Sequence, residues 1–231
     1  MAILETDSHP IPLRSTVANV DFTHIKHWLA QCEDDVECHQ KCKASPIKWR
    51  NLPGIRFKVI DVQGRRIVNA PDDCSFVALT YVWGGVNQPK LTENTAPLLM
   101  RDGGLRTIWA KIPATVRDAI EVCEKLGERY LWVDALCIMQ DSVQDMKIQI
   151  LRMREIYSAA KCTIAAVSGE TADEGLLGSP PSKDPNSFDS LQSLETFLKT
   201  SPWSSRAWCY QEKVLSHRMI LFTSTGVYMQ C

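Results

Sequence analysis

The chain has 231 residues, 45% of them apolar, and its 26 basic and 27 acidic side chains leave a net charge of −1. That supplies one sizeable core, and the even charge excludes an electrostatic case for nucleic acid or an anionic membrane. No run approaches 18 apolar residues, so no transmembrane span is expected, and the start MAILETDSHPIPLRS lacks the basic-then-apolar pattern of a signal peptide.

Residues 1–20 read as an N-terminal arm. Residues 21–43 read as one or two short helices with Ile25, Trp28, Leu29 and Cys32 on one face. Pro46 and Pro53 punctuate a linker, so 1–54 is an arm and helical lead-in. FKVIDV (57–62) and RRIVNA (65–70), joined by Gln63-Gly64, read as a β-hairpin. FVALTYVWGG (76–85) is a buried strand ending in glycines. IPATVRDAIEVCEKLG (112–127) is a helix with Pro113 in its first turn, Gly127 after its end, and Val116, Ala119, Ile120, Cys123 and Leu126 as its stripe. RYLWVDALCI (129–138) is expected to be a strand. SVQDMKIQILRMREIYSAA (142–160) is expected to be one helix with Met146, Ile150, Met153, Tyr157 and Ala160 on one face. KCTIAAVS (161–168) is a third buried strand. Residues 169–200 are mostly surface loop, with a helical turn or two in 190–200. A helix from Ser205 and strands RMILFTS (218–224) and GVYMQC (226–231) complete 55–231. The chain stops inside a strand, as a piece of a longer protein would.

Strand, helix, strand, helix, strand implies an α/β fold. The expectation is a flavodoxin-like, three-layer parallel sheet with flanking helices, beside a small N-terminal helical segment and the hairpin. Continuous apolar strands fit burial on both faces. Ligands of such sheets bind at the carboxyl ends of the strands. Those ends carry Tyr81, Trp83, Gly84 and Gly85, then Asp134 and Cys137, then Ser168-Gly169-Glu170. The glycines either admit a ligand to the backbone or only turn the chain. Asp134 either faces a ligand or caps a turn.

The helix from Ser205 raises the sharper question. Trp208, Glu212 and Leu215 share one face, which puts a carboxylate where an apolar residue is expected. Either Glu212 sits in a pocket for a chemical reason, or it pairs with Arg206, Lys213 or Arg218 and holds the helix. Arg206, near the helix opening, is a candidate phosphate contact. Trp208 reads as core or as a site wall. Cys137 and Cys209 lie in apolar surroundings, where thiols are inert, so a nucleophilic role with His217 or Asp134 is the weaker reading. Cys32, Cys38, His39 and Cys42, with His24 and His27 upstream, have irregular spacing for zinc, and buried thiols between short helices are the simpler account. Nine cysteines without a secretory signal point to reduced thiols and a cytoplasmic protein. Neither G-x-G-x-x-G nor G-x-x-x-x-G-K-[ST] occurs, which removes the ordinary dehydrogenase and P-loop readings.

The ordered series FVALTYVWGG, IPATVRDAIEVCEKLGERYLWVDALCIMQDS, IYSAAKCTIAAVSG, DEGLLG and SRAWCYQEKVLSHRMILF resembles the fungal heterokaryon-incompatibility (HET) domain from about residue 55 to 224. Thr80 departs from the more usual serine of the first motif. The resemblance implies non-self recognition between fungal individuals and a trigger of programmed cell death. It also implies partners, either another copy of the chain or another incompatibility protein. The motif order is similar, more distantly, to TIR domains, with ALTYVWG, YLWVD and CTIAAVS as strands and SSRAWCYQE as the S-x-W-C-x-x-E segment. Ser205 stands one residue early for that spacing.

By that likeness NAD+ is a substrate rather than a resident cofactor, cleaved at the nicotinamide–ribose bond, with Glu212 as the catalytic carboxylate. Tyr81, Trp83, Gly84, Gly85, Asp134, Arg206 and Trp208 would contact the dinucleotide, and no metal is implied. A carboxylate stabilises the oxocarbenium-like state such cleavage passes through, and aromatic rings stack on a flat base. Three classes of function stay open: an NAD+ hydrolase, a self-associating death-signalling module without chemistry, and a nucleotide sensor without turnover.

Overall fold

The structure is a computed structural model and describes residues 17, 20–34, 56–177, 198–224 and 226–231, without the side chains of residues 207, 208 and 210. The linker prolines, Cys38, His39 and Cys42, and most of the 169–200 loop lie outside these residues.

Seven strands form one sheet: β1 (Lys58–Asp61), β2 (Arg66–Asn69), β3 (Val77–Thr80), β4 (Tyr130–Trp132), β5 (Cys162–Ala166), β6 (Met219–Phe222) and β7 (Val227–Gln230), in the order β2-β1-β4-β3-β5-β6-β7. β4, β3, β5 and β6 run parallel, while β1–β2, β1–β4 and β6–β7 pair antiparallel. The fold is therefore α/β with a mostly parallel central sheet, and its four parallel strands follow the flavodoxin-like order. The hairpin belongs to the main sheet. Asp61 pairs with Tyr130, so β1 continues the main sheet. Its connection is longer than a two-residue turn, because Asp61 pairs with Arg66 and leaves 62–65 as the loop, with Arg65 at φ 47.

The helices are α1 (Phe22–Asp34), α2 (Ala96–Leu99), α3 (Ala114–Leu126), α4 (Asp134–Cys137), α5 (Val143–Leu151), α6 (Met153–Ala159) and α7 (Ala207–Leu215), with a 3₁₀ helix at Gly104–Lys111. α3 buries its expected stripe and ends at Gly127, whose φ of 85 satisfies the last carbonyls. From β3 the chain crosses through α3 to β4 on one side. From β4 it crosses through α5 and α6 to β5 on the other. Right-handed crossovers in opposite directions place their helices on opposite faces. α1 packs on α3 with Ile25 and Leu29 in the main core. Val17 and Val20, at the end of the N-terminal arm, are buried there too.

Strand alternation separates two clusters. Ile164, Ala166, Ile220 and Phe222 belong to the larger core, while Ala165, Met219 and Leu221 pack with Trp203 and Cys209 in a smaller one. Thr80 is paired with Ala165, so its side chain shares the face of the smaller cluster.

Two expectations need correction. The segment 129–138 is a strand only through Trp132. Asp134 opens the short α4 instead, and its Oδ1 accepts the Ala135 amide at 2.7 Å. The stretch 142–160 is two helices, broken at Arg152, whose amide is shared by the Ile148, Gln149 and Ile150 carbonyls. The break separates a helix that buries only Gln149 from one that turns Ile156 and Tyr157 into the core.

Candidate functional site

A cavity of about 300 Å³ opens at the carboxyl ends of β3 and β4, under α5 and α7. Its wall includes Tyr81 and Trp83 from beyond β3, Asp134 from α4, and Arg206, Cys209 and Glu212 from the α7 segment. Residues that the sequence separates by more than a hundred positions thus share one space. The Met146, Ile150 and Met153 stripe lines this cavity, with Met146 and Met153 also packed against the main core, and Ile150 is 47% exposed. A larger groove of about 860 Å³ beside Lys58 and Asp145 gathers none of the predicted site residues.

Glu212 is 8% exposed. The Thr80 hydroxyl donates to its Oε2, and the Trp203 indole N–H donates to Thr80 Oγ1 at 2.8 Å. Tyr157 stands beside the same carboxylate and donates its hydroxyl to the Leu79 carbonyl at 3.2 Å. Burial pushes the Glu212 carboxyl up to about 7. Thr80 and Arg206 oppose that rise and Asp134 adds to it. Among the described residues no cation lies within ion-pair distance of Glu212. Arg218, one of the three partners considered from the sequence, meets Glu33 at 2.8 Å instead.

Asp134 accepts the Trp83 indole N–H, at 3.0 Å to Oδ2, besides the Ala135 amide. It therefore fixes a turn and also lines the cavity. Burial pushes its carboxyl up to about 6 against the Ala135 amide, Trp83, Tyr81 and Arg206. One side of the Trp83 ring is met by Lys90, with Nζ 5.3 Å from the centroid. Tyr81 is buried, and its hydroxyl donates to Gln88 Oε1 at 2.9 Å. Arg206 is exposed and immediately precedes α7.

Gly84 and Gly85 are not in the cavity wall. Gly84, at φ 64, lies so close to the Glu170–Thr171 backbone that a Cβ would stand 2.5 Å from the Glu170 carbonyl, while Gly85 faces open space. The Trp208 side chain lies outside the described residues. Cys137 and Cys209 are both buried, and burial pushes each thiol up to about 12, which makes them poor nucleophiles.

Thr80 and Trp203 take part in the site without having been singled out for it. The available signal was the chemistry of a buried indole, whose N–H needs an acceptor. Nothing local in the sequence names Thr80 as that acceptor.

Chemically, the cavity offers two carboxylates with raised affinity for protons, an aromatic wall, apolar methionines and an exposed guanidinium at one end. Ionised carboxylates in such partly apolar surroundings favour a cationic guest or a cationic transition state.

Comparison with known proteins supplies the context. The family model described as Heterokaryon incompatibility protein (HET) matches residues 76–212, a span that contains every residue of the cavity wall. Over 96 residues the chain is 30% identical to Heterokaryon incompatibility protein 6, OR allele, of Neurospora crassa, an alignment covering 37% of this chain and 13% of that protein. No solved structure matches the chain.

Proposed function

The chain belongs to the heterokaryon incompatibility (HET) family, and on that premise we propose that it acts in fungal non-self recognition and triggers cell death by hydrolysing NAD+ at the nicotinamide–ribose bond. The observation that carries this reading is Glu212: a buried carboxylate, facing a cavity, with no cation paired to it among the described residues. The likeness of the motif order to TIR domains supports it.

In this reading the C1′–N bond breaks and its electron pair leaves with the nicotinamide nitrogen, which becomes neutral. Ionised Glu212 stabilises the positive charge developing on the ribose. Water then adds at C1′ and releases a proton, giving nicotinamide and ADP-ribose. Trp83 and Tyr81 wall the flat base, Asp134 adds negative potential, and exposed Arg206 meets the pyrophosphate. A cavity of about 300 Å³ is at the small end of ligand sites, so it encloses the nicotinamide–ribose end and leaves the adenosine outside.

The test is nicotinamide release from NAD+ by the purified chain, including at high concentration, beside Glu212→Ala with its fold checked by circular dichroism. The expected result is release by the parent and a loss of about 100-fold or more in the variant. Equal release by a folded Glu212→Ala would remove the carboxylate from the reaction.

A second reading, a self-associating death-signalling module without chemistry, is favoured by exposed apolar residues: Val143 and Leu151 on α5 and Val214 on α7, each more than 60% exposed. It expects mass to rise with concentration in sedimentation and no consumption of NAD+. Partners, whether a second copy or another incompatibility protein, belong to this proposal. Among the described residues no helix is long and apolar enough to cross a membrane.

A further inference from the structure

We infer that Thr80 and Trp203 are positioning residues for Glu212, forming a buried hydrogen-bond relay that aims the carboxylate and holds it in the ionised form its reaction needs. The inference rests on the reading of Glu212 as the catalytic carboxylate. Its physical content can be tested without turnover.

Donor counting carries the argument. An indole N–H can only donate, so Thr80 Oγ1 is the acceptor of the 2.8 Å bond from Trp203. The hydroxyl then has a single proton to give, and the structure sends it to Glu212 Oε2. A hydroxyl oriented as a donor favours the ionised acid over the protonated one. Water has little access to this chain: Trp203 is 0% exposed and Thr80 1%. Trp203 belongs to the smaller core cluster and Thr80 ends a central strand. The first and middle members of the relay are therefore held by packing. A merely structural Thr80 would need only to fill space, which valine does equally well.

The relay works among several other groups. From α4, Asp134 disfavours the ionised form of Glu212, while Arg206 before α7 favours it, and Tyr157 from α6 stands beside the carboxylate with its hydroxyl proton given to the Leu79 carbonyl. Cys209, on α7 itself, is a neutral thiol. Thr80 is the largest of the influences opposing burial. Its loss is therefore predicted to leave desolvation and Asp134 in command.

The experiment is a carbon-13 NMR titration of the Glu212 carboxyl in glutamate-labelled protein, assigned with Glu212→Gln. It is run on the parent, Thr80→Val, Thr80→Ser and Trp203→Phe, together with the pH profile of nicotinamide release. Thr80→Val is expected to raise the midpoint by about one to two pH units, the worth of a hydrogen bond to a charged group. The alkaline-rising limb of kcat should move with it while KM changes little. Thr80→Ser should restore the parent midpoint, and Trp203→Phe should raise it less than Thr80→Val does. If Thr80→Val does not fold, Thr80→Ala carries the same reading without added bulk. Variants that titrate like the parent would overturn the relay, even if the parent consumes NAD+. A parent that releases no nicotinamide but shows these midpoint changes keeps the relay and overturns the reaction instead.

Discussion

Asp61 in β1 and Glu212 in α7 are buried to similar depths, 2% and 8% exposed, yet their surroundings push them in opposite directions. Arg129 grips Asp61 with Nε at 3.2 Å and Nη2 at 3.0 Å, and the Gly64 amide donates at 3.3 Å. Burial raises the Asp61 carboxyl, but Arg129, Gly64 and Arg66 outweigh it and hold the group below the usual carboxylate range. Glu212 meets hydroxyls and a second carboxylate, and there burial wins. A carboxylate that serves the fold is neutralised by a cation and by backbone donors. One left without that cation, facing a cavity, costs stability and is a candidate for chemistry. The Asp61 pair fastens the hairpin to the neighbouring strand, since Arg129 directly precedes β4.

The contrast is sharpest in the response to pH. The folded Glu212 titrates near 7 against an ordinary value of 4.5, so the folded protein holds the proton more tightly. Stability should therefore rise as pH falls from about 7 toward 4.5, on the order of 2 to 3 kcal/mol. Glu212→Gln should remove most of that rise, the remainder belonging to Asp134. Denaturant unfolding of both proteins at pH 5 and pH 8 measures it, and equal slopes would break the contrast.

Asp61 gives the opposite sign. Its folded value lies below 3.8, so its contribution is complete above that pH and is lost as pH falls through the folded value. Asp61→Asn should cost about 1–3 kcal/mol at pH 7, read from the unfolding midpoint, and should lessen the acid sensitivity of the fold. A neutral effect at pH 7 would place Asp61 with Glu212 rather than against it.

The smallest effect sharpens the rule from the uncharged side. Gln149 is 0% exposed, and among the described residues neither its Oε1 nor its Nε2 has a hydrogen-bond partner. If burial without partners is what costs, Gln149→Met should stabilise the protein by about 1 kcal/mol, seen as a raised melting temperature. A lowered one would show that the amide has a role in α5.

Much of the architecture was legible because apolar runs and glycine stops are local signals. β3, β5, β6 and the stripe of α3 follow from them directly. The reading failed where one pattern serves two structures. YLWVDALCI is apolar enough for a strand throughout, yet the Asp134 side chain takes the next amide and starts a helical turn. In 142–160 the helical period continues across Arg152 although the backbone does not. The periodicity of Met146, Ile150 and Met153 reports a shared apolar face without saying that part of it lines a cavity.

The candidate site divides in the same way. The oddity of Glu212 on an apolar helical face, and the residues at the strand ends, were visible along the chain. So was the motif order that identifies the HET family, because short ordered motifs survive in one dimension. What only the tertiary structure decided is the company Glu212 keeps. Thr80 and Trp203 lie 132 and 9 positions away in sequence, and they meet Glu212 because β3 occupies the centre of the sheet with α7 packed over its carboxyl end. Hydrogen-bond direction, the lack of a paired cation among the described residues and the balance between burial and charge depend on distances of a few ångströms across that contact, and sequence spacing does not encode them.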